Sequence, residues 1–178
     1  MMNMNIANKL TLLRILMIPV FVFMLLSGYS LWAFIFFSLA SFTDFLDGYL
    51  ARKHNLITNF GKFMDPLADK LLITSALICF VELGVLNSWV VIIILSREFI
   101  VSIFRAIAAA DGIVIAASWW GKAKTISQMF MVILLLLNNY PFEWINFPMD
   151  QVLIVLATVL TVISGYDYIV KNKQVLKD

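Results

Sequence analysis

Six long apolar stretches divide the chain, at roughly 10–27, 31–50, 64–83, 88–108, 118–138 and 151–170. Each is close to the ~20 residues that a helix needs to cross a hydrocarbon core about 30 Å thick. Short breaks separate them: Ser27-Gly28-Tyr29-Ser30, residues 51–63, Leu83 to Asn87, Ala110 to Ala117, and the longer Asn138 to Asp150. The pattern predicts an all-α polytopic membrane protein with six transmembrane helices. No linker, low-complexity tract or internal repeat interrupts it, so residues 1–178 are expected to form one domain. The first stretch has the outline of a signal peptide, because Lys9 precedes the apolar run 15–26. Arg14 interrupts that outline and no A-x-A-like cleavage site follows, so a retained first helix is expected.

Composition sharpens the membrane reading. Apolar residues make up 62% of the chain and charged residues 13%, against about 45–50% and 25% in soluble domains. A chain of this length cannot hide so much apolar surface from water. The net charge of +2 and the scatter of Lys and Arg give no basis for a nucleic-acid partner. The single Cys79 excludes an internal disulfide and a cysteine-based zinc site. Charge placement sets the orientation. With both ends on one side, the far-side connections carry Glu82, Glu143 and Asp150 but no Lys or Arg. The positive-inside rule therefore puts both termini and the 51–63 and 110–117 connections in the cytoplasm. Trp32, Trp89, Trp119, Trp120 and Trp144 fall near span ends, as interfacial anchors.

Four carboxylates stand where such groups are costly. Asp44, Asp47, Asp65 and Asp69 lie in or beside the second and third apolar stretches. In a helix Asp44 and Asp47 are i, i+3, and Asp65 and Asp69 are i, i+4. Each pair then shares a face, about 4.5 and 6 Å apart along the axis. The short connection makes the two helices antiparallel neighbours, which lets all four converge. Converging carboxylates repel one another unless cations neutralise them, and two divalent ions would balance the charge. All-oxygen ligation favours Mg²⁺ or Mn²⁺. Asp44 lies about 21 Å along the axis from Ser30, which places the cluster toward the cytoplasmic edge of the membrane. The plainer reading is a set of interfacial residues capping helix ends.

The string Asp44-x-x-Asp47-Gly48-x-x-Ala51-Arg52, then Gly61, Asp65 and Asp69, resembles the full signature of the CDP-alcohol phosphatidyltransferase family. Asn8-Lys9-Leu10-Thr11-Leu12-Leu13-Arg14, residues 96–102 with Arg105, and Gly121-Lys122-Ala123-Lys124-Thr125 with Gln128 are similar to the branch of that family that makes phosphatidylglycerophosphate. The resemblance weakens from Asn138 onward. It implies the six-helix family fold, a homodimer in the bacterial inner membrane, and an active site facing the cytoplasm. It also implies a reaction: CDP-diacylglycerol gives its phosphatidyl group to sn-glycerol 3-phosphate and CMP leaves. Carried over by position, Asp44, Asp47, Asp65 and Asp69 become ligands of two Mg²⁺ or Mn²⁺ ions, and Asp69 also the base. Gly48, Ala51, Arg52 and Gly61 become CDP-diacylglycerol contacts, with Asn8 and Thr11 beside them. Taken singly, Gly48 reads equally as helix packing, Arg52 as a positive-inside residue, His54 as a solvated loop histidine, and Asn8, Thr11 and Arg14 as a helix start.

The acceptor side rests on a polar stripe. Glu98, Ser102 and Arg105 stand at i, i+4 and i+7, and Arg97 and Glu98 can also neutralise one another. With Lys122 or Lys124 from the next stretch, this stripe makes a basic pocket suited to an acceptor phosphate. Arg105, Lys122, Lys124, Arg97 and Ser102 are therefore the candidates for glycerol 3-phosphate. The two lysines point about 200° apart on a helix, so only one can face the pocket. Inositol phosphate or serine as acceptor, and a divalent-cation transporter, are the competing readings. A transporter would need acidic residues along a path to the far side, and the far half offers none. The charge asymmetry generates one prediction directly. A cysteine placed at Asn55 should resist an impermeant thiol reagent added outside intact cells and react once the membrane is permeabilised; labelling from outside would invert the topology.

Overall fold

A computed structural model describes the backbone over residues 6–53, 59–110 and 118–173, with 112, 113, 115 and 116. Side chains are described over the same residues except 6, 7, 45, 47–53, 59–63, 65 and 66. The described residues are all helical or connecting, with no strand among them. The order is α1 (Ile6–Leu26), α2 (Ser30–Lys53), α3 (Asn59–Glu82), α4 (Ser88–Ala110), α5 (Trp119–Leu136), a 3₁₀ turn at Phe142–Ile145, and α6 (Met149–Lys171). Each helix covers one of the six apolar stretches. The break expected over 51–63 is shorter than hydropathy suggests: α2 runs on to Lys53 and α3 begins at Asn59. Apolarity ends there before backbone bonding does, because Ala51, Arg52 and Lys53 are good helix formers that are merely polar or small. His54 lies outside the described residues.

Two compact units divide the chain, Met1–Leu83 and Gly84–Asp178. In the N-terminal unit α1 packs against α2 and α3, and α2 against α3. The buried positions of α1 are Asn8, Thr11, Arg14, Ile18, Phe21 and Leu25. Spaced three or four apart, they form a single stripe, polar in its first half and apolar in its second. Facing residues from α2 are Ala33, Phe37 and Ala40, and from α3 Ala68, Leu72, Ala76 and Phe80. The four alanines let the helix backbones approach closely, and Phe21 meets Phe37 at 5.8 Å between ring centroids. The α1–α2 turn is closed by Gly28 at φ +82, with Tyr29 N–H on the Met24 carbonyl at 2.9 Å and Gly28 N–H on Leu25 at 3.1 Å. This is a helix stop that only a residue free to take positive φ makes cheaply.

In the C-terminal unit α6 packs against both α4 and α5. Its buried face is Ala157, Thr161, Ser164 and Tyr168. Ser118 caps α5, its hydroxyl accepting from the Gly121 N–H at 3.1 Å. Val101 and Phe104 of α4 and Tyr168 of α6 make a small apolar cluster, with Ile115 packed against it.

Two helices are long and apolar enough to cross a bilayer by themselves, Asn8–Leu26 and Met149–Lys171. The others carry the ionisable groups at issue: Asp44 and Asp47 on α2, Asp65 and Asp69 on α3, Arg97, Glu98 and Arg105 on α4, Lys122 and Lys124 on α5. The outward faces are those of a membrane protein. Phe23 is 65% exposed, Leu16 62% and Trp89 71%, and many large apolar side chains join them in a surface far more apolar than that of soluble monomers.

Candidate active site

Two polar clusters lie inside the two units. In the N-terminal unit, α2 and α3 carry the signature. The backbone at Asp44 and Asp47, and at Asp65 and Asp69, is helical, so each pair shares a helix face as the spacing requires. The side chains of Asp47, Gly48, Ala51, Arg52, Gly61 and Asp65 lie outside the described residues. Asp44 and Asp69 are described. Asp69 is exposed on α3, next to the buried Ala68. Asp44 is partly exposed and bound to Arg14: the guanidinium Nη1 lies 2.7 Å from Oδ1, with the Asp44 side chain 42% exposed and that of Arg14 fully buried. Arg14 Nε also donates to the Ala40 carbonyl at 3.3 Å. Asn8 and Thr11 precede Arg14 on the same buried stripe. Among the described residues no three carboxylate, His or Cys side chains converge.

The C-terminal unit holds the basic residues. Glu98 Oε1 accepts from Arg97 Nη1 at 3.0 Å and from Lys124 Nζ at 2.5 Å. Arg97 Nε donates to the Ser164 hydroxyl at 3.1 Å, and Ser164 in turn donates to the Thr161 carbonyl at 3.0 Å. One carboxylate of α4 thus gathers a lysine of α5, while the neighbouring arginine ties α4 to α6. Glycines make the space. A Cβ on Gly165 would come within 3.2 Å of Arg97 Cγ, and one on Gly121 within 3.6 Å of its Nη2. The first distance is tight enough that the arginine would have to move.

Register separates the two lysines. Lys124 is buried, on the inner face with Ser127, Gln128, Met131 and Leu135, whereas Lys122 is exposed. The Arg97–Glu98 pair expected from sequence forms. Ser102 donates to the Glu98 backbone carbonyl, so its hydroxyl proton serves its own helix. Arg105 is exposed, its guanidinium carbon 5.9 Å from the centre of the Tyr168 ring, within cation–π range. The Tyr168 hydroxyl and the Gln128 amide nitrogen are buried without a hydrogen-bond partner among the described residues.

Sequence reasoning missed Ser164, Gly165 and Tyr168, all on α6, where the resemblance is weakest. A signal was present: Thr161, Ser164 and Tyr168 recur at three and four residues in an otherwise apolar stretch, the spacing of one helix face. It also left Arg14 without a partner, although an arginine in an apolar run demands one.

Comparison with known proteins gives the family. Residues 4–163 match the CDP-alcohol phosphatidyltransferase family. A Bacillus subtilis protein named CDP-diacylglycerol–glycerol-3-phosphate 3-phosphatidyltransferase is 45% identical, over 97% of this chain and 97% of its own length. A Haemophilus influenzae protein of the same name is 38% identical over 99% and 98%. A Mycobacterium tuberculosis protein named as a probable phosphatidylglycerophosphate synthase is 42% identical over 94% and 81%. Matched over nearly its whole length, and carrying the signature carboxylates on two packed helices, the chain belongs to the CDP-alcohol phosphatidyltransferase family of enzymes.

Proposed function

We propose that this enzyme transfers the phosphatidyl group of CDP-diacylglycerol to the primary hydroxyl of sn-glycerol 3-phosphate, forming phosphatidylglycerophosphate and releasing CMP. The observation that carries the reading is the complete carboxylate signature on the adjacent helices α2 and α3 of a chain related end to end to enzymes of that name. The chain works as a single domain of six membrane-spanning helices in the bacterial inner membrane, as a homodimer, with both termini and the active site on the cytoplasmic side. The asymmetry of Lys and Arg supports that orientation, and the family match running through both compact units supports one domain.

Asp44, Asp47, Asp65 and Asp69 would hold two divalent cations, Mg²⁺ or Mn²⁺. The donor chemistry fits: the described members are carboxylates that reach solvent, Asp44 at 42% exposure with Oδ1 on Arg14 and Asp69 exposed, and carboxylate oxygens suit hard ions. When bound, the cations would neutralise the diphosphate and stabilise the attacking and leaving oxygens. Asp69 takes the proton of the acceptor hydroxyl as its oxygen bonds to the lipid-linked phosphorus. The bond from that phosphorus to the CMP oxygen breaks, and CMP departs with the electron pair. Gly48, Ala51 and Gly61 give the nucleotide close approach, Arg52 pairs with the diphosphate, and Asn8 and Thr11 line the same side.

The acceptor is a phosphate ester, and the C-terminal unit is built for one. Arg97 and Lys124 share the single carboxylate of Glu98, which leaves the trio with a net positive charge. Arg105 has no carboxylate partner among the described residues. Arg97, Ser102, Arg105 and Lys124 therefore form the acceptor pocket, and burial favours Lys124 over the exposed Lys122.

A product assay on purified protein with CDP-diacylglycerol and a panel of alcohols tests the reading; serine or inositol phosphate as the preferred acceptor would replace it. Three outcomes are expected in that assay. Exhaustive chelation abolishes turnover and Mg²⁺ or Mn²⁺ restores it, whereas undiminished activity would remove the metal mechanism. Asp69→Asn keeps CDP-diacylglycerol binding and loses turnover, because an amide cannot accept the hydroxyl proton; near-normal turnover would take the base role from Asp69. Arg105→Ala raises the KM for glycerol 3-phosphate tenfold or more, since a lost charged hydrogen bond costs about 1.5–3 kcal/mol. The KM for CDP-diacylglycerol stays near its original value, and a joint rise would assign Arg105 to the diphosphate or the fold.

A further inference from the structure

The fully buried Arg14 is an unusual resident of an apolar helix, and its surroundings explain why it stays. A guanidinium cannot shed its proton, so inside the packed α1–α2 contact it must find an anion. Helix α1 has no acidic residue. In the whole N-terminal unit the carboxylates are Asp44, Asp47, Asp65, Asp69 and Glu82, and four of these five are the signature. Arg14 meets the first of them through Nη1, 2.7 Å from Asp44 Oδ1. It also holds the Ala40 carbonyl through Nε at 3.3 Å. Ala40 and Asp44 are one turn apart on α2, so one planar guanidinium hydrogen-bonds the backbone through Nε and sets Nη1 in ion-pair contact with the carboxylate of the same ridge. The Asp44 side chain stays 42% exposed.

We propose that Arg14 is a positioning residue for Asp44: from the buried face of α1 it fixes the first signature carboxylate in the direction needed to bind a divalent cation. The inference rests on the reading of Asp44 as a metal ligand. It differs from simple charge balance, and the two make opposite predictions. An arginine that only offset negative charge would repel an incoming cation, so removing it would tighten metal binding. An arginine that holds the carboxylate in place belongs to the outer shell of contacts behind a ligand, and losing it weakens binding, typically 10–100-fold.

The experiment is Mn²⁺ binding to the purified full-length protein in detergent, without substrates, read by the EPR signal of free Mn²⁺. Arg14→Met keeps length and suits the buried slot, and Asp44, being part-exposed, tolerates the loss of its partner. Arg14→Lys keeps the charge but loses the planar fork. Arg14→Met is expected to bind Mn²⁺ 10–100-fold more weakly than the wild type, and Arg14→Lys to recover only part of the loss. Unchanged or tighter binding in Arg14→Met overturns the proposal, as does full wild-type affinity in Arg14→Lys. If Arg14→Met does not fold, Arg14→Lys alone decides. Asp44→Asn separates the two levels. If it loses Mn²⁺ while Arg14→Met does not, only the positioning role falls. If Asp44→Asn binds Mn²⁺ like the wild type, the reading of Asp44 as a ligand falls, and the positioning role with it.

Discussion

A charge inside an apolar helix bundle has to be met by a partner, and this requirement organises both units of the protein. In the N-terminal unit the fully buried Arg14 is met by Asp44 and a backbone carbonyl. In the C-terminal unit Arg97 and Lys124 are met by Glu98, with Ser164 taking a further arginine donor. Leaving any of these groups unpaired in a low-dielectric interior would be strongly destabilising. The Arg14–Asp44, Lys124–Glu98 and Arg97–Ser164 pairings each join one helix to another, so the groups that carry charge help to set helix register. In the proposed function, the energetic liability and the functional capacity would reside in the same side chains.

Small residues are the counterpart of these pairings. Ala33, Ala40, Ala68 and Ala76 keep the first three helices close, and Gly121 and Gly165 clear a path for Arg97 across α5 and α6. Without a solvent-driven force between helices in lipid, such close contact and the polar pairs together supply the cohesion. The exterior follows the opposite rule, presenting Phe, Leu, Ile and Trp outward. The division of labour is plain: large apolar side chains face outward, and a few polar positions beside or within the inward stripes meet neighbouring helices.

Those stripes also divide the chemistry. The carboxylates reside on α2 and α3, and the cations suited to a phosphate ester reside on α4 and α5. A transferase that joins a lipid diphosphate to a small anionic alcohol needs both signs of charge, one to hold metal and one to hold substrate phosphate. Neutralising either set internally to completion would leave nothing for the reactants. Asp44 stays part-exposed although paired, and Glu98 has two cations to satisfy with one charge.

The sequence by itself determined the helices and the family. Apolar runs of bilayer length, broken by Gly28, Asn87 and the Asn138–Asp150 segment, leave the backbone no alternative to helix, and the signature spacing places its carboxylates in pairs on helix faces. It also contained the positions of the basic stripe. Only the tertiary structure decided who meets whom. Arg14 finds Asp44 thirty positions away, Lys124 rather than Lys122 turns inward, and α6 contributes Ser164 to Arg97 and the Tyr168 ring to Arg105. The reason is geometric. Periodicity within a stretch defines the face of one helix, while an interhelical ion pair needs two atoms from different helices within about 3–4 Å, and that depends on the relative rotation and height of the helices. Those two quantities come from packing along the full length of both partners, and no local pattern contains them.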